Sequence, residues 1–408
     1  MRVEVINTGT ELLLGNVINT HLGYLGRQLF KLGLRIERQS TVPDGLAIRD
    51  MLAEAIPRSD LLLVTGGLGP TSDDLTREIA AELLRRPLRE SPAVMQAMQE
   101  LCRNRGVTFR ESMKRQAQVP EGAEVLPNST GTAPGLYFKP LPGLASPHLF
   151  LLPGPPRELM TMFEQSVWPI LDSLVGSAGR PECRIYRVVG LGESAVEELI
   201  GAELEAVAGV EVGYCARPNE VDLRLIGATA LLNEWDARVR SVLGGNLVTL
   251  GETSLEATVV ALLRDRRLTV ATAESCTGGL LANRLTDVPG SSAVFLQGYV
   301  TYANEAKQET LGVSAELLRE FGAVSEPVAR AMAEQALRRA GADLALSTTG
   351  IAGPDGGTAD KPVGTVFIGL AQRGGETVVF PKKFPVGRLD FKNHVAQFAL
   401  DALRRRIL

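Results

Sequence analysis

The sequence predicts an α/β protein of two α/β domains, the first doubly wound, joined by a small α+β domain. Three observations predict it. Residues 1–172 alternate apolar strand-like runs with leucines at three- and four-residue steps. The same alternation resumes near residue 255 and continues to the end. Residues 183–250, between the two, follow a strand, helix, hairpin, helix and strand pattern in about 70 residues, too few for a typical domain.

Taken in order, RVEVI (2–6) is a short apolar strand, and Leu22, Leu25, Leu29 and Leu32 mark one face of a helix ended by Gly33. Residues 34–42 read as a strand, 47–56 as a helix and DLLLVT (60–65) as a buried strand. GGLGPTSDDL follows at once, and a helix is expected over 74–86. LFLLPG (149–154) is a further buried strand that enters a helix through Pro155 and Pro156, since proline fits a first helical turn. Residues 173–182 are small and polar and read as a linker. In the last domain, 268–273, 294–302, 342–349 and 364–371 read as strands, and 277–287, 303–311, 326–340 and 389–407 as helices. Residues 350–364 form a turn-rich loop. Repeated βα units imply a mostly parallel sheet with ligands at the carboxyl ends of its strands.

Composition narrows the function. Apolar residues make up 45% and charged residues 22%, which is ordinary for a globular chain. The net charge of -4 and sequence pI of about 5.7 argue against a nucleic-acid partner, which needs clustered Lys and Arg. The one basic run, Arg404–Arg406, closes the last helix, where cations offset the helix dipole. Cys102, Cys183, Cys215 and Cys276 form no C-x-x-C pair, and the three histidines lie far apart. The opening RVEVI reads as a strand rather than a leader, and no apolar run reaches membrane-spanning length. A cytoplasmic protein with no membrane partner is therefore expected.

Two stretches carry chemistry. VTGGLGPTSDD runs from a buried strand into a helix. Its glycines let backbone approach a ligand, and the helix start offers free N–H groups to a phosphate. Asp73 and Asp74 stand in the same turn, where a carboxylate beside a phosphate serves as a ligand for a divalent ion. Ser72, Asp73 and Asp74 are also ordinary helix N-caps, so this pattern alone leaves both readings open.

The second stretch is TAESCTGG (272–279) with YVTYANEAK (299–307). Ser275 follows a strand and precedes Thr277, Gly278 and Gly279 at a helix start, where oriented N–H groups stabilise an oxyanion. Serine needs a base, and no histidine lies nearby; Lys307 serves if burial keeps it neutral. Tyr302 is placed to bond either group and relay a proton. Cys276 is the rival nucleophile. Read alone, the local pattern favours Ser275 as an N-cap and Lys307 as a solvated helix residue.

Four motifs add a resemblance. TGTELLLGNVINTH (8–21), STVPDG (40–45), TGGLGPTSDDLT (65–76) and LPGPPREL (152–159) resemble the molybdopterin-binding type of domain at the front of CinA-family proteins. The resemblance implies a nucleotide pyrophosphatase acting on ADP-ribose with a divalent metal ion. It places Asp44 and Asp74 as metal ligands, with Asp73 as a further candidate, and Gly66, Gly67, Gly69 and Thr71 as the phosphate loop. His21 stands where the family often has asparagine, so no role carries over to it.

AESCTGG, GYVTYANEAK and STTGIAGPDGG resemble the C-terminal CinA domain, the nicotinamide mononucleotide (NMN) deamidase family. This implies Ser275, Tyr302 and Lys307 as the catalytic set, and Thr277, Gly278, Gly279, Thr348, Thr349 and Gly350 facing the substrate. The family tends to show Gly-Asp-Arg near the last helix; this chain has Gly387-Arg388 without the aspartate, and Arg388 is carried over as a phosphate ligand.

The implied protein is a bifunctional pyridine-nucleotide hydrolase whose deamidase step uses no cofactor. Its middle domain is KH-like, and it forms a homodimer. Two alternatives keep the folds: a non-catalytic pterin- or nucleotide-binding first domain, or a non-enzymatic competence or DNA-damage protein.

Overall fold

The computed structural model describes residues 1–141, 146–176, 179–217 and 219–408. It divides into two compact units, Met1–Pro181 and Glu182–Leu408.

The first unit is built on strands β1 (Val3–Thr8), β2 (Ile36–Val42), β3 (Leu61–Thr65), β4 (Leu88–Glu90), β5 (Gln118–Pro120), β6 (Glu124–Leu126), β7 (Gly135–Phe138) and β8 (His148–Leu152). Six of them form one sheet in the order β2-β1-β3-β8-β7-β6, and β4 pairs with β5 apart from it. β2, β1, β3 and β8 run parallel, whereas β7 and β6 are antiparallel additions at one edge.

Both faces of the sheet are covered, which is why β1 and β3 read as unbroken apolar runs. Val3, Val5, Leu61 and Leu63 pack under helices His21–Lys31 and Pro156–Met162, and Ile6, Leu62 and Val64 under Ala47–Ala55 and Thr76–Leu83. A helix not anticipated from the sequence, Pro92–Asn104, has Ser91 as its cap and proline at its first turn. The register aligns Thr8 with Val42, and Asn7 with Thr65. The loops after β1, β2 and β3 therefore leave the sheet at nearly the same height.

The helix expected to end at the linker runs to Val175, and β9 begins at Glu182. Residues 177 and 178 of that linker lie outside the described residues, as does 218 in the expected hairpin.

The second unit contains two sheets. β9 (Glu182–Val189), β10 (Glu211–Arg217), β11 (Glu220–Gly227) and β12 (Leu247–Leu250) form an antiparallel sheet in the order β10-β11-β9-β12. The second sheet has the order β14-β13-β15-β16-β17, from β13 (Val270–Glu274), β14 (Phe295–Val300), β15 (Leu344–Gly350), β16 (Thr365–Gln372) and β17 (Val378–Lys383). Its first three strands are parallel and the last two antiparallel.

Val270, Leu344 and Ile368 face helices Leu255–Arg266 and Arg388–Ile407, while Ala271, Ala273 and Ala345 face Glu326–Ala340. Glu274 lies level with Val300 on one side and Thr348 on the other. Thus Ser275, Thr301 and Thr349, each one residue further along, meet at one sheet end. The chain crosses from β13 to β14 on one side and then from β14 to β15 on the other, which makes this the switch point where an open α/β sheet leaves a crevice.

Candidate active sites at two sheet ends

At the amino-terminal switch point, between β1 and β3, lies a cleft of 560 Å³. Asp44, Gly66, Gly67, Gly69, Thr71, Asp73 and Asp74 all line it, so every site residue expected for this domain is brought together.

The glycines are there for space. A Cβ on Gly66 would lie 2.4 Å from Thr8 Oγ1, one on Gly67 2.1 Å from Thr76 Oγ1, and one on Gly69 2.4 Å from Asp74 Oδ2. Gly66 and Gly67 also adopt φ of 95° and 66°, which side-chain-bearing residues rarely do.

The two expected metal ligands hold loops. Asp44 Oδ2 accepts from Thr10 N at 2.9 Å and from the Thr10 hydroxyl at 3.2 Å. Asp74 Oδ2 accepts from Thr71 N at 2.9 Å and from the Thr71 hydroxyl. Among the described residues, no group of three or more His, Cys, Asp or Glu side chains is placed to hold a metal ion. This donor set fits a magnesium-type ion that takes one or two carboxylates and completes its shell with phosphate oxygens and water; it does not form an all-protein cage.

Sequence reasoning missed the cleft's supports. Arg115 donates to the Thr71 carbonyl, to the Asp74 carbonyl at 3.0 Å and to Glu78 at 2.9 Å, clamping the turn from behind. Gln116 donates to the Leu68 carbonyl at 3.3 Å. No motif surrounds either residue, so only the fold reveals them. His21 also lines the cleft, with Nδ1 3.2 Å from the Thr65 hydroxyl; burial lowers its pKa and favours the neutral ring.

At the second switch point, a 200 Å³ cavity is lined by Ser275, Cys276, Tyr302, Lys307, Thr349, Gly350 and Arg388, with Asn304 and Val324 beside them. Lys307 is only 1% exposed. Its Nζ lies 3.1 Å from Ser275 Oγ, 2.9 Å from the Thr301 carbonyl and 3.0 Å from the Tyr302 carbonyl. Burial lowers the Lys307 pKa and so favours the neutral amine. A neutral amine has two N–H groups and one lone pair. With the two carbonyls taking its N–H groups, a neutral Lys307 would turn its lone pair to the serine hydroxyl.

Cys276 is also buried, and desolvation pushes its thiol up to about 12. A thiol that resists ionisation is a poor nucleophile, which separates it from its neighbour.

Other expected residues are placed differently. The Tyr302 hydroxyl accepts from Arg388 Nη2 at 2.8 Å, and it is the Tyr302 backbone carbonyl that meets Lys307. The expected phenol relay to Ser275 or Lys307 is therefore replaced by a tyrosine–arginine contact at the cavity mouth. Arg388 also donates to the Gly353 carbonyl at 2.9 Å.

Thr277, Gly278, Gly279 and Thr348 lie behind Ser275 rather than in the cavity wall. The Thr277 and Thr348 hydroxyls pair at 2.7 Å, and Gly278 N donates to the Ser275 carbonyl at 3.1 Å, which spends that N–H on closing the turn. Gly278 and Gly279, at φ of 62° and 92°, make the reversal from strand to helix. The helix consequently starts at Leu280, three residues later than the sequence pattern suggested. Glu274, fully buried, caps that helix by accepting from Leu281 N at 3.0 Å and Ala282 N at 2.8 Å.

Comparison with known proteins matches three family descriptions in order. They are "Probable molybdopterin binding domain" over residues 4–173, "Damage-inducible protein CinA KH domain" over 183–249 and "CinA C-terminal domain" over 252–407. A CinA-like protein of Akkermansia muciniphila is 49% identical over 403 residues, covering 99% of this chain and 97% of the relative. A CinA-like protein of Kosmotoga olearia is 42% identical, covering 100% and 99%. Among solved structures, the competence/damage inducible protein CihA from Agrobacterium tumefaciens is 43% identical over 37% of this chain and 92% of its own, with a TM-score of 0.36. With relatives this similar along its whole length, and all three domain types in sequence, the chain belongs to the CinA family.

Proposed function

We propose that the carboxy-terminal site deamidates NMN to nicotinate mononucleotide and ammonia by a serine/lysine mechanism. The contact between Lys307 Nζ and Ser275 Oγ, 3.1 Å in a buried pocket, carries this reading. Lys307 removes the Ser275 proton as Oγ bonds to the carboxamide carbon. The tetrahedral intermediate collapses, the C–N bond breaks, and the nitrogen leaves as ammonia with the proton from Lys307. Water, deprotonated in turn by Lys307, attacks the ester and frees the carboxylate and the serine. Arg388, at the mouth of the cavity, receives the substrate phosphate.

Ammonia release from NMN tests this. The wild-type chain is expected to release one ammonia per nicotinate mononucleotide, and Lys307→Ala to lose roughly 10²–10⁴ in rate, as expected for removal of a general base. A wild-type chain that releases none overturns the reading.

For the amino-terminal cleft, the same proposal assigns hydrolysis of ADP-ribose to AMP and ribose phosphate. The glycine loop would hold the pyrophosphate, and Asp44 and Asp74 would hold a divalent ion, which supplies charge neutralisation on the phosphates when bound. Asp74→Ala is expected to abolish metal-dependent cleavage. One observation favours a second reading, binding without chemistry: both carboxylates already cap loop N–H groups. Under that reading ADP-ribose binds but is not turned over with any divalent ion.

A further inference from the structure

Most of the amino-terminal cleft suits an anion, with glycine backbone at a helix start and carboxylates for a cation. Gln116 does the opposite. It is 1% exposed and lines the cleft. Its amide nitrogen donates to the Leu68 carbonyl at 3.3 Å, which settles which end of the amide is oxygen. Among the described residues, Oε1 has no hydrogen-bond partner, and neither has the hydroxyl of Thr8, which lines the same cleft. Buried acceptors without donors are rare, because leaving them unpaired destabilises the fold.

A phosphate cannot satisfy Oε1, since both are acceptors. The partner it lacks is an N–H or O–H, or a cation, since an amide oxygen also ligates divalent ions; a cation would serve pyrophosphate and ADP-ribose alike. Gln116 lies in the segment Glu111–Ala117, and its neighbour Arg115 fixes that segment to the Thr71–Asp74 turn. The acceptor is thereby held at a set place beside the phosphate loop.

We propose that Gln116 reads a hydrogen-bond donor on the non-phosphate part of the ligand. The cleft then selects a phosphorylated sugar or nucleoside over a bare pyrophosphate. The inference rests on the phosphate-binding reading of this cleft but not on turnover there. The donor is either a sugar hydroxyl or a base amine.

The test is equilibrium binding to the full chain with one divalent ion throughout. The probes are ADP-ribose, ribose 5-phosphate and inorganic pyrophosphate. Gln116→Met keeps the side-chain length and removes the acceptor. It is expected to weaken ADP-ribose roughly tenfold and leave pyrophosphate unchanged. A matching loss for ribose 5-phosphate assigns the donor to the terminal ribose, and a loss confined to ADP-ribose assigns it to the adenosine half; both support the proposal.

Equal losses for ADP-ribose and pyrophosphate would mean that Gln116 only tethers Leu68 or ligates the cation, and would overturn it. Unchanged affinity for all three would overturn it too. Should the variant not fold, the wild type crystallised with ADP-ribose decides: a ligand hydroxyl or amine against Oε1 supports the proposal, and a phosphate or apolar edge there refutes it. Gln116-dependent binding without hydrolysis would remove only the pyrophosphatase. Hydrolysis with Gln116-independent binding would remove only this inference, and a wild type that binds no ADP-ribose removes both.

Discussion

Lys307 shows how burial prepares a common residue for the base role proposed for it. On a helix surface it would stay protonated far above neutral pH. Here desolvation lowers its pKa, and two carbonyls hold its N–H groups. Protonated lysine has no lone pair, so the activity should rise with pH along a basic limb. The midpoint should lie below the ordinary lysine value of 10.5, because the shift is downward. A rate profile for ammonia release checks this, and a flat profile would remove Lys307 as the base. Tyr302 gives a contrasting prediction. The residue is 58% exposed and its hydroxyl serves Arg388, so Tyr302→Phe should raise KM and leave the pH midpoint in place. A shifted midpoint would restore the relay role. Ser275, Lys307 and Arg388 were legible in the sequence because they sit in motifs. Glu274, Arg115 and Gln116 were not, since a lone polar residue acquires meaning only from the backbone atoms that folding places around it.

The elements were legible in proportion to how evenly they are buried. β1, β3, β8, β13 and β15 are covered on both faces and announce themselves as apolar runs. β17 sits at a sheet edge and contains Pro381 and two lysines, so no strand was anticipated there. Helix Ala315–Phe321 is only seven residues long, too short to show a period. The start of helix Leu280–Thr286 was misplaced because its cap comes from Glu274, on the preceding strand, and not from a residue just before it. Glu274→Gln keeps the size but turns an amide N–H toward backbone donors. It should destabilise the second unit by about 1.5–3 kcal/mol, read from its denaturant midpoint. Arg115→Met should loosen the Thr71–Asp74 turn and weaken ADP-ribose binding about tenfold without unfolding the first unit, because it removes three hydrogen bonds from a loop rather than from the core.

At the scale of the whole molecule, the middle module and the carboxy-terminal module form one unit, Glu182–Leu408. Their junction is polar. Arg187 meets Asp222 at 2.9 Å and Glu220 at 3.1 Å, and also donates to the Thr253 carbonyl at 2.7 Å; Gln397 donates to Glu220 at 2.8 Å. Arg404, 2% exposed, pairs with Asp401 and donates to the Gly245 carbonyl at 2.6 Å. The run Arg404–Arg406 therefore does more than offset a helix dipole. Its first arginine ties the last helix, whose first residue is Arg388, to the middle module. Removing one partner of such a buried pair is costly, and Arg404→Met should lower the stability of this unit by about 3–5 kcal/mol, measured by chemical denaturation. Charge composition could not reveal this, because a buried arginine and a solvated one count alike.

The most direct test of the central claim is ammonia release from NMN by Ser275→Ala beside Cys276→Ala. Ser275→Ala should fall to the uncatalysed background while Cys276→Ala keeps most of the wild-type rate. Full activity in Ser275→Ala, or its loss only in Cys276→Ala, would contradict the account.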